Sequence, residues 1–139
     1  MSPIGVGNVW IDAMSDEAGL SGCRILIVED EPMIAMTLED MLGELACMIA
    51  GTASQIEAAL GLIAQIEIDA ALLDVNLGTE KIDRVADELA RRNVPFIFTT
   101  GYGETGVPAA HKNHGVVQKP FRLEELGRAL IEEMSRHTR

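Results

Sequence analysis

Residues 25–33 read ILIVEDEPM: four apolar residues run straight into Glu29, Asp30 and Glu31, and then Pro32. Carboxylates gathered at the end of an apolar run repel one another. They are stable together only when a cation compensates them or when their pKa values rise. Further polar groups stand at comparable places. Asp74 closes IDAALLD, Thr99 and Thr100 close VPFIFTT, and Lys119 follows VVQ and precedes Pro120. Carboxylates, a hydroxyl and an ammonium are the groups that handle a phosphoryl transfer. An aspartate is the nucleophile, a divalent cation offsets charge on the phosphoryl oxygens, and Lys119 and Thr100 bind the remaining oxygens. Such chemistry asks little covalent work of a protein, so positioning and charge dominate.

The candidate ligands Glu29, Asp30 and Asp74 are all oxygen donors, which suits Mg²⁺, with Mn²⁺ as the alternative. Zinc is not expected, because His111, His114 and His137 do not fall at strand ends. His111 and His114 read as surface histidines in a polar loop. Each acid also has a plainer role. Asp30 can cap a helix, Asp74 can open a turn, and Glu31 suits the positive end of a helix. The functional reading rests on the whole set meeting at one edge.

The chain pattern supplies that edge. RILIVE is a first strand, with β-branched residues favouring a buried extended run. PMIAMTLEDMLGELA is a helix with Ile34, Leu38, Met41, Leu42 and Leu45 on one face, opened by Pro32, whose missing N–H costs nothing in a first turn. CMIAG is a second strand. A helix through QIEAALGLIAQ follows, with Ser54 as its expected cap. IDAALLD, EKIDRVADELARR and VPFIFTT are the third strand, third helix and fourth strand. GYGETGVPAAHKNHG has four glycines, a proline and weak periodicity, so a helix there is short. VVQ is a fifth strand, and RLEELGRALIEEMSR is the last helix.

Strands alternating with helices imply right-handed βαβ units and a parallel sheet. The expected fold is α/β: a doubly wound, flavodoxin-like five-stranded sheet of order 2-1-3-4-5. Such sheets bind ligands at the carboxyl ends of their strands. Strands one and three are neighbours in that order, so Glu29 and Asp30 converge on Asp74.

The chain has 139 residues, 47% of them hydrophobic, which fits one folded domain. Residues 1–22 hold four glycines and no period and are expected to form a flexible tail, with the domain at 23–137. The formal charge of −11, from 22 acids against 11 Lys and Arg, argues against direct nucleic-acid binding. No apolar run is long enough to span a bilayer. Cys23 and Cys47 read as reduced thiols in the cytosol.

The four stretches VEDE, LLDVNLG, TTGY and QKPF together resemble the receiver domain of bacterial two-component response regulators, over residues 23–136. The resemblance implies that Asp74 is the phospho-acceptor. It makes Asp30 a metal ligand, with Glu29 and the backbone carbonyl of Asn76 helping to hold the Mg²⁺. Thr100, which directly precedes Gly101, and Lys119 contact the phosphoryl group. The implied donor is a histidine kinase or a histidine phosphotransfer protein, and the output is contact with a downstream protein or phosphate relay. The implied setting is cytoplasmic, and the protein is a single-domain regulator rather than a turnover enzyme. The contact surfaces implied are the fourth helix, strand five and the last helix, with the first helix facing the kinase. FTTGY also resembles a subgroup of single-domain receivers from alphaproteobacteria, marked by a Phe-Ala-Thr-Gly signature and linked to stress signalling, with Thr99 in place of the alanine.

Three departures from the receiver pattern stand out. Gly78 replaces a customary proline, which is expected to loosen the loop beside Asp74. Val116 replaces a customary aromatic, for which Tyr102 is a candidate substitute. The fourth helix is expected to be small. Rival readings are weaker. GYGETG at 101–106 fits a dinucleotide motif, but Pro108 follows it closely. An aspartyl phosphatase of the haloacid-dehalogenase type needs a general acid two residues after its nucleophile, and Asn76 cannot serve. A receiver-like module that is never phosphorylated keeps the fold and drops the chemistry.

Overall fold

The computed structural model describes residues 19–78, 80–101 and 106–137. Five parallel strands form one sheet: β1 (Arg24–Val28), β2 (Met48–Ala53), β3 (Ala70–Asp74), β4 (Phe96–Thr100) and β5 (Val116–Gln118), in the order β2-β1-β3-β4-β5. Four α-helices among the described residues cover it: α1 (Pro32–Glu44), α2 (Ile56–Gln65), α3 (Asp83–Arg91) and α4 (Leu123–His137). This is the doubly wound arrangement that the strand–helix alternation implies. Between β4 and β5 the described residues hold a single 3-10 turn, Ala109–His111, in place of a fourth crossover helix.

Both faces of the central strands β1, β3 and β4 are buried, so these strands carry apolar runs without alternation, whereas the edge strands β2 and β5 are partly exposed. Leu26, Val28, Ala71, Leu73, Phe96 and Phe98 pack on α2 and α3, through Ile63, Val85 and Leu89. Ile25, Ile27, Leu72, Ile97 and Val117 pack on α1 and α4, through Leu38, Leu42, Leu126 and Leu130. Register pairs Ile27 with Leu72 and Asp74 with Thr99, which brings the polar strand ends to one edge.

Three expectations change. Leu20 is fully buried in the core layer under α1 and α4, and the Gly22 N–H donates to the Ala46 carbonyl at 2.8 Å. The packed body therefore includes residues 19–22, which were expected in the tail. Residues 1–18 lie outside the described part. Ser54 does not cap α2. Gln55 stands at the cap without a side-chain bond, and the Ile56 N–H donates instead to Glu80 Oε1 at 3.0 Å. Glu80 was expected inside the third helix, which starts at Asp83.

The Glu80 N–H donates to the Leu77 carbonyl at 2.9 Å, closing a turn in which Gly78 has φ +59°. A proline there has its φ locked near −65°, so it does not fit this turn, which favours glycine.

Candidate phosphoryl-acceptor site

Each acid reaches the carboxyl edge of the sheet by a short route. Glu29 follows β1 directly, and its N–H donates to the Ala53 carbonyl at 2.9 Å, which continues the ladder. Asp74 is the last residue of β3. Carboxylate oxygens of Glu29, Asp30 and Asp74 all lie within 4.8 Å of one another. Glu29 is 2% exposed and Asp74 1%. Three acids so close, two of them buried, are the convergence that the strand order demands.

Lys119 enters from the end of β5. Its Nζ lies 3.9 Å from Asp74 Oδ2 and 3.7 Å from Glu29 Oε1. Its own N–H donates to the Thr100 carbonyl at 2.8 Å, so β4 and the lysine are coupled through backbone. The Lys119–Pro120 peptide is cis. Asp74 Oδ1 accepts the Asn76 N–H at 3.0 Å, and Glu29 Oε2 accepts the Glu31 N–H at 3.1 Å. Glu31 is the exposed N-cap residue of α1 and makes no side-chain cap bond.

One lysine does not balance three acids. Burial raises the Glu29 pKa to about 7, and the neighbouring Asp74 charge adds to this against the opposing Glu31 N–H bond. Burial likewise raises Asp74, opposed by the Asn76 N–H, a hydrogen bond from Glu29 and the Lys119 charge. A proton kept on Glu29 is thus shared with Asp74. Among the described residues, Glu29 Oε1 and Asp30 Oδ1 are buried without a hydrogen-bond partner. Buried acceptors with no donor are the observation that fits a cation, and an all-oxygen donor set suits a hard one.

Of the six residues singled out in the sequence, Glu29, Asp30, Asp74 and Lys119 form one cluster. Asn76 joins it through its N–H. Thr100 is buried at the end of β4, one residue beyond Thr99, the register partner of Asp74. Tyr102 lies outside the described residues, as does most of the GYGETG stretch. Val116 is exposed.

The histidines overturn the sequence expectation. His111 is buried, edge-on to Phe96, with Nε2 2.7 Å from Asp87 Oδ1. His114 stacks on Phe96 and meets Glu133. Glu133, 2% exposed, went unremarked in the sequence because its apparent place was the polar side of the last helix. The available signal was its i,i+4 spacing to His137.

A five-stranded 2-1-3-4-5 sheet with this carboxylate edge defines a class, and comparison with known proteins agrees. Residues 25–131 match the response regulator receiver domain, and the chain belongs to that family. It is 33% identical over 116 residues to the phyllosphere-induced regulator PhyR of Methylorubrum extorquens, covering 77% of this chain and 43% of that protein. The chain spans about half the length of the curated relatives it matches. The solution structure of SdrG from Sphingomonas melonis Fr1 is 43% identical, with a TM-score of 0.75 over 82% of this chain and 97% of that one. The BeF3-activated conformation of SdrG, from Pseudomonas melonis Fr1, is 45% identical, with a TM-score of 0.68 over 79% and 94%.

Proposed function

We propose that this receiver accepts a phosphoryl group on Asp74 and signals by the resulting change at its surface. The observation that carries the reading is the buried Asp74 carboxylate, set among Glu29 and Asp30 with the Lys119 ammonium 3.9 Å away. The donor is a phosphohistidine of a sensor kinase or a histidine phosphotransfer protein. An Asp74 oxygen attacks phosphorus, the P–N bond to the donor breaks, and the leaving imidazole takes a proton.

Glu29, Asp30, Asp74 and the backbone carbonyl of Asn76 would hold a Mg²⁺ ion, which supplies charge neutralisation for the phosphoryl oxygens. The protein's own groups do the rest. The Asn76 N–H orients the Asp74 carboxylate through Oδ1. Lys119, held by its backbone bond to Thr100, offers a donor to a phosphoryl oxygen, and the Thr100 hydroxyl offers a second. Occupation of the site pulls on Lys119 and Thr100 together, and so on β4 and β5.

Beside β5 a groove of about 580 Å³, lined by Val116, Lys119, Phe121 and Glu125 among others, gives the downstream protein a surface that shares Lys119 with the site. Among the described residues no helix is long and apolar enough to cross a membrane, and this reading puts the protein in the cytoplasm as a signalling protein rather than a turnover enzyme. BeF3 activation of the relative SdrG supports it.

Intact mass after incubation with a small-molecule phosphodonor tests the proposal. One phosphoryl group is expected, dependent on Mg²⁺ and absent in Asp74→Asn. Uptake that persists in Asp74→Asn would assign the wrong acceptor. Absence of both uptake and Mg²⁺ binding would leave a receiver-like module that is never phosphorylated.

A further inference from the structure

A second cluster lies at the opposite edge of the sheet. Glu133 is buried on α4, and His137 stands one turn on, at the end of that helix. His114 arrives from the segment that leads into β5. Parallel strands and their crossover helices run in opposite senses, so the start of β5 and the end of α4 lie away from Asp74. His114 Nδ1 is 2.5 Å from Glu133 Oε2, and His137 Nε2 is 3.8 Å from the same oxygen. One donor atom from each of the three residues lies within 4.8 Å of the other two.

We propose that His114, Glu133 and His137 form a binding site for a divalent transition-metal ion of the Zn²⁺ class. Two imidazoles and one carboxylate are the donor set such an ion selects, and they are a poor set for Mg²⁺. With bonds of about 2.0–2.1 Å to a tetrahedral ion, donor atoms sit roughly 3.3 Å apart. The Glu133 contacts of 2.5 and 3.8 Å bracket that spacing, and all three donor atoms lie within 4.8 Å of one another.

The surroundings favour a held site. Glu133 Oε1 accepts from Arg136 Nη2 at 2.5 Å and from the Gly115 N–H at 3.1 Å, which orients the carboxylate and leaves Oε2 toward the histidines. The His114 ring is stacked on Phe96, with centroids 3.9 Å apart and planes at 18°. His137 is under-used by the protein. Its Nε2 is too far from Glu133 for a hydrogen bond, and among the described residues its Nδ1 is buried without a partner. An ion taken up by the ring removes part of that deficit. His137 also lines a cavity of about 400 Å³ with Cys23, Asp69 and Met134, which gives an ion and its remaining water ligand a way in. The chain's net charge of −11 favours cation capture. The bound ion ties the last turn of α4 to the segment entering β5.

The full chain, stripped with chelator and kept in excess Mg²⁺ so that the acidic edge is saturated, is titrated with Zn²⁺ and then with Co²⁺. One equivalent is expected to bind, with visible Co²⁺ absorption typical of a four-coordinate site. The imidazole resonances of His114 and His137 shift, and the thermal midpoint rises with ion concentration. His137→Ala, at the half-exposed end of a helix, is expected to fold normally by circular dichroism and to bind at least about tenfold more weakly. Glu133→Gln is expected to do the same. Unchanged affinity in His137→Ala, unmoved imidazole resonances on Zn²⁺ binding, or no binding in excess Mg²⁺ would each overturn the proposal.

Discussion

The Lys119 ammonium lies 3.9 Å from Asp74 Oδ2, bringing the end of β5 across β4 to the end of β3. The same nitrogen is 3.7 Å from Glu29, so one cation faces two buried carboxylates. The site therefore carries surplus negative charge without a divalent ion. Asp74→Asn should stabilise the metal-free protein at pH 8 by on the order of 1–2 kcal/mol, because it removes a group whose ionisation opposes folding. Lys119→Met should destabilise it by about 1–3 kcal/mol, since it leaves the acids uncompensated. Urea denaturation of both variants checks the signs, and saturating Mg²⁺ should reverse the first.

The raised Glu29 pKa makes stability depend on pH in a stated direction. A carboxyl whose pKa moves from 4.5 unfolded to about 7 folded binds its proton more tightly in the native state. Its contribution is fully present below pH 4.5 and is lost as pH rises through about 7. The thermal midpoint of the chelated protein should fall over that window. Mg²⁺ competes with the same proton, so its affinity, followed by calorimetry, should rise from pH 6 to pH 8. A flat profile for both would remove the shared proton from the account.

Two threonines end β4, and they should not be equivalent. Thr99 is the register partner of Asp74, whereas the Thr100 carbonyl accepts the Lys119 N–H. Thr100→Ala should slow phosphoryl uptake by about tenfold or more, through loss of an oxygen ligand in the transition state. Thr99→Ala should change the rate by less than about threefold and cost roughly 1 kcal/mol of stability. Single-turnover phosphorylation of the two variants distinguishes them, and a larger loss in Thr99→Ala would transfer the role to that residue.

Gly78 offers a test against the family pattern. Its φ of +59° excludes proline, while a Cβ would meet nothing closer than Asp30 Oδ2 at 3.9 Å. Gly78→Ala should therefore cost only backbone strain, about 1–2 kcal/mol. Gly78→Pro, though it restores the customary residue, should cost about 3 kcal/mol or more and weaken Mg²⁺ binding through Asp30. Denaturation midpoints of the two variants settle the order.

The sheet order was legible because a period of apolar runs separated by helical faces leaves few right-handed solutions. Glu29, Asp30, Asp74 and Lys119 were legible because each lies within two residues of the end of such a run. Leu20 was not, since one apolar residue among glycines carries no period. The Glu80 contact to α2 was not, because its partner Ile56 lies 24 residues away. The histidines were misread for the same reason: polarity of a loop describes its neighbours in sequence, and Phe96 and Glu133 are neighbours only in space.

By itself the sequence determined the class of fold, the family resemblance and the edge at which acids must meet, since strand ends follow from periodicity and parallel topology. Only the tertiary structure decided how deeply Glu29 and Asp74 are buried, and so where their protons lie. It also brought His114 to Glu133 and His137, which no local pattern encodes, because such contacts arise from the packing of α4 against β4 and β5.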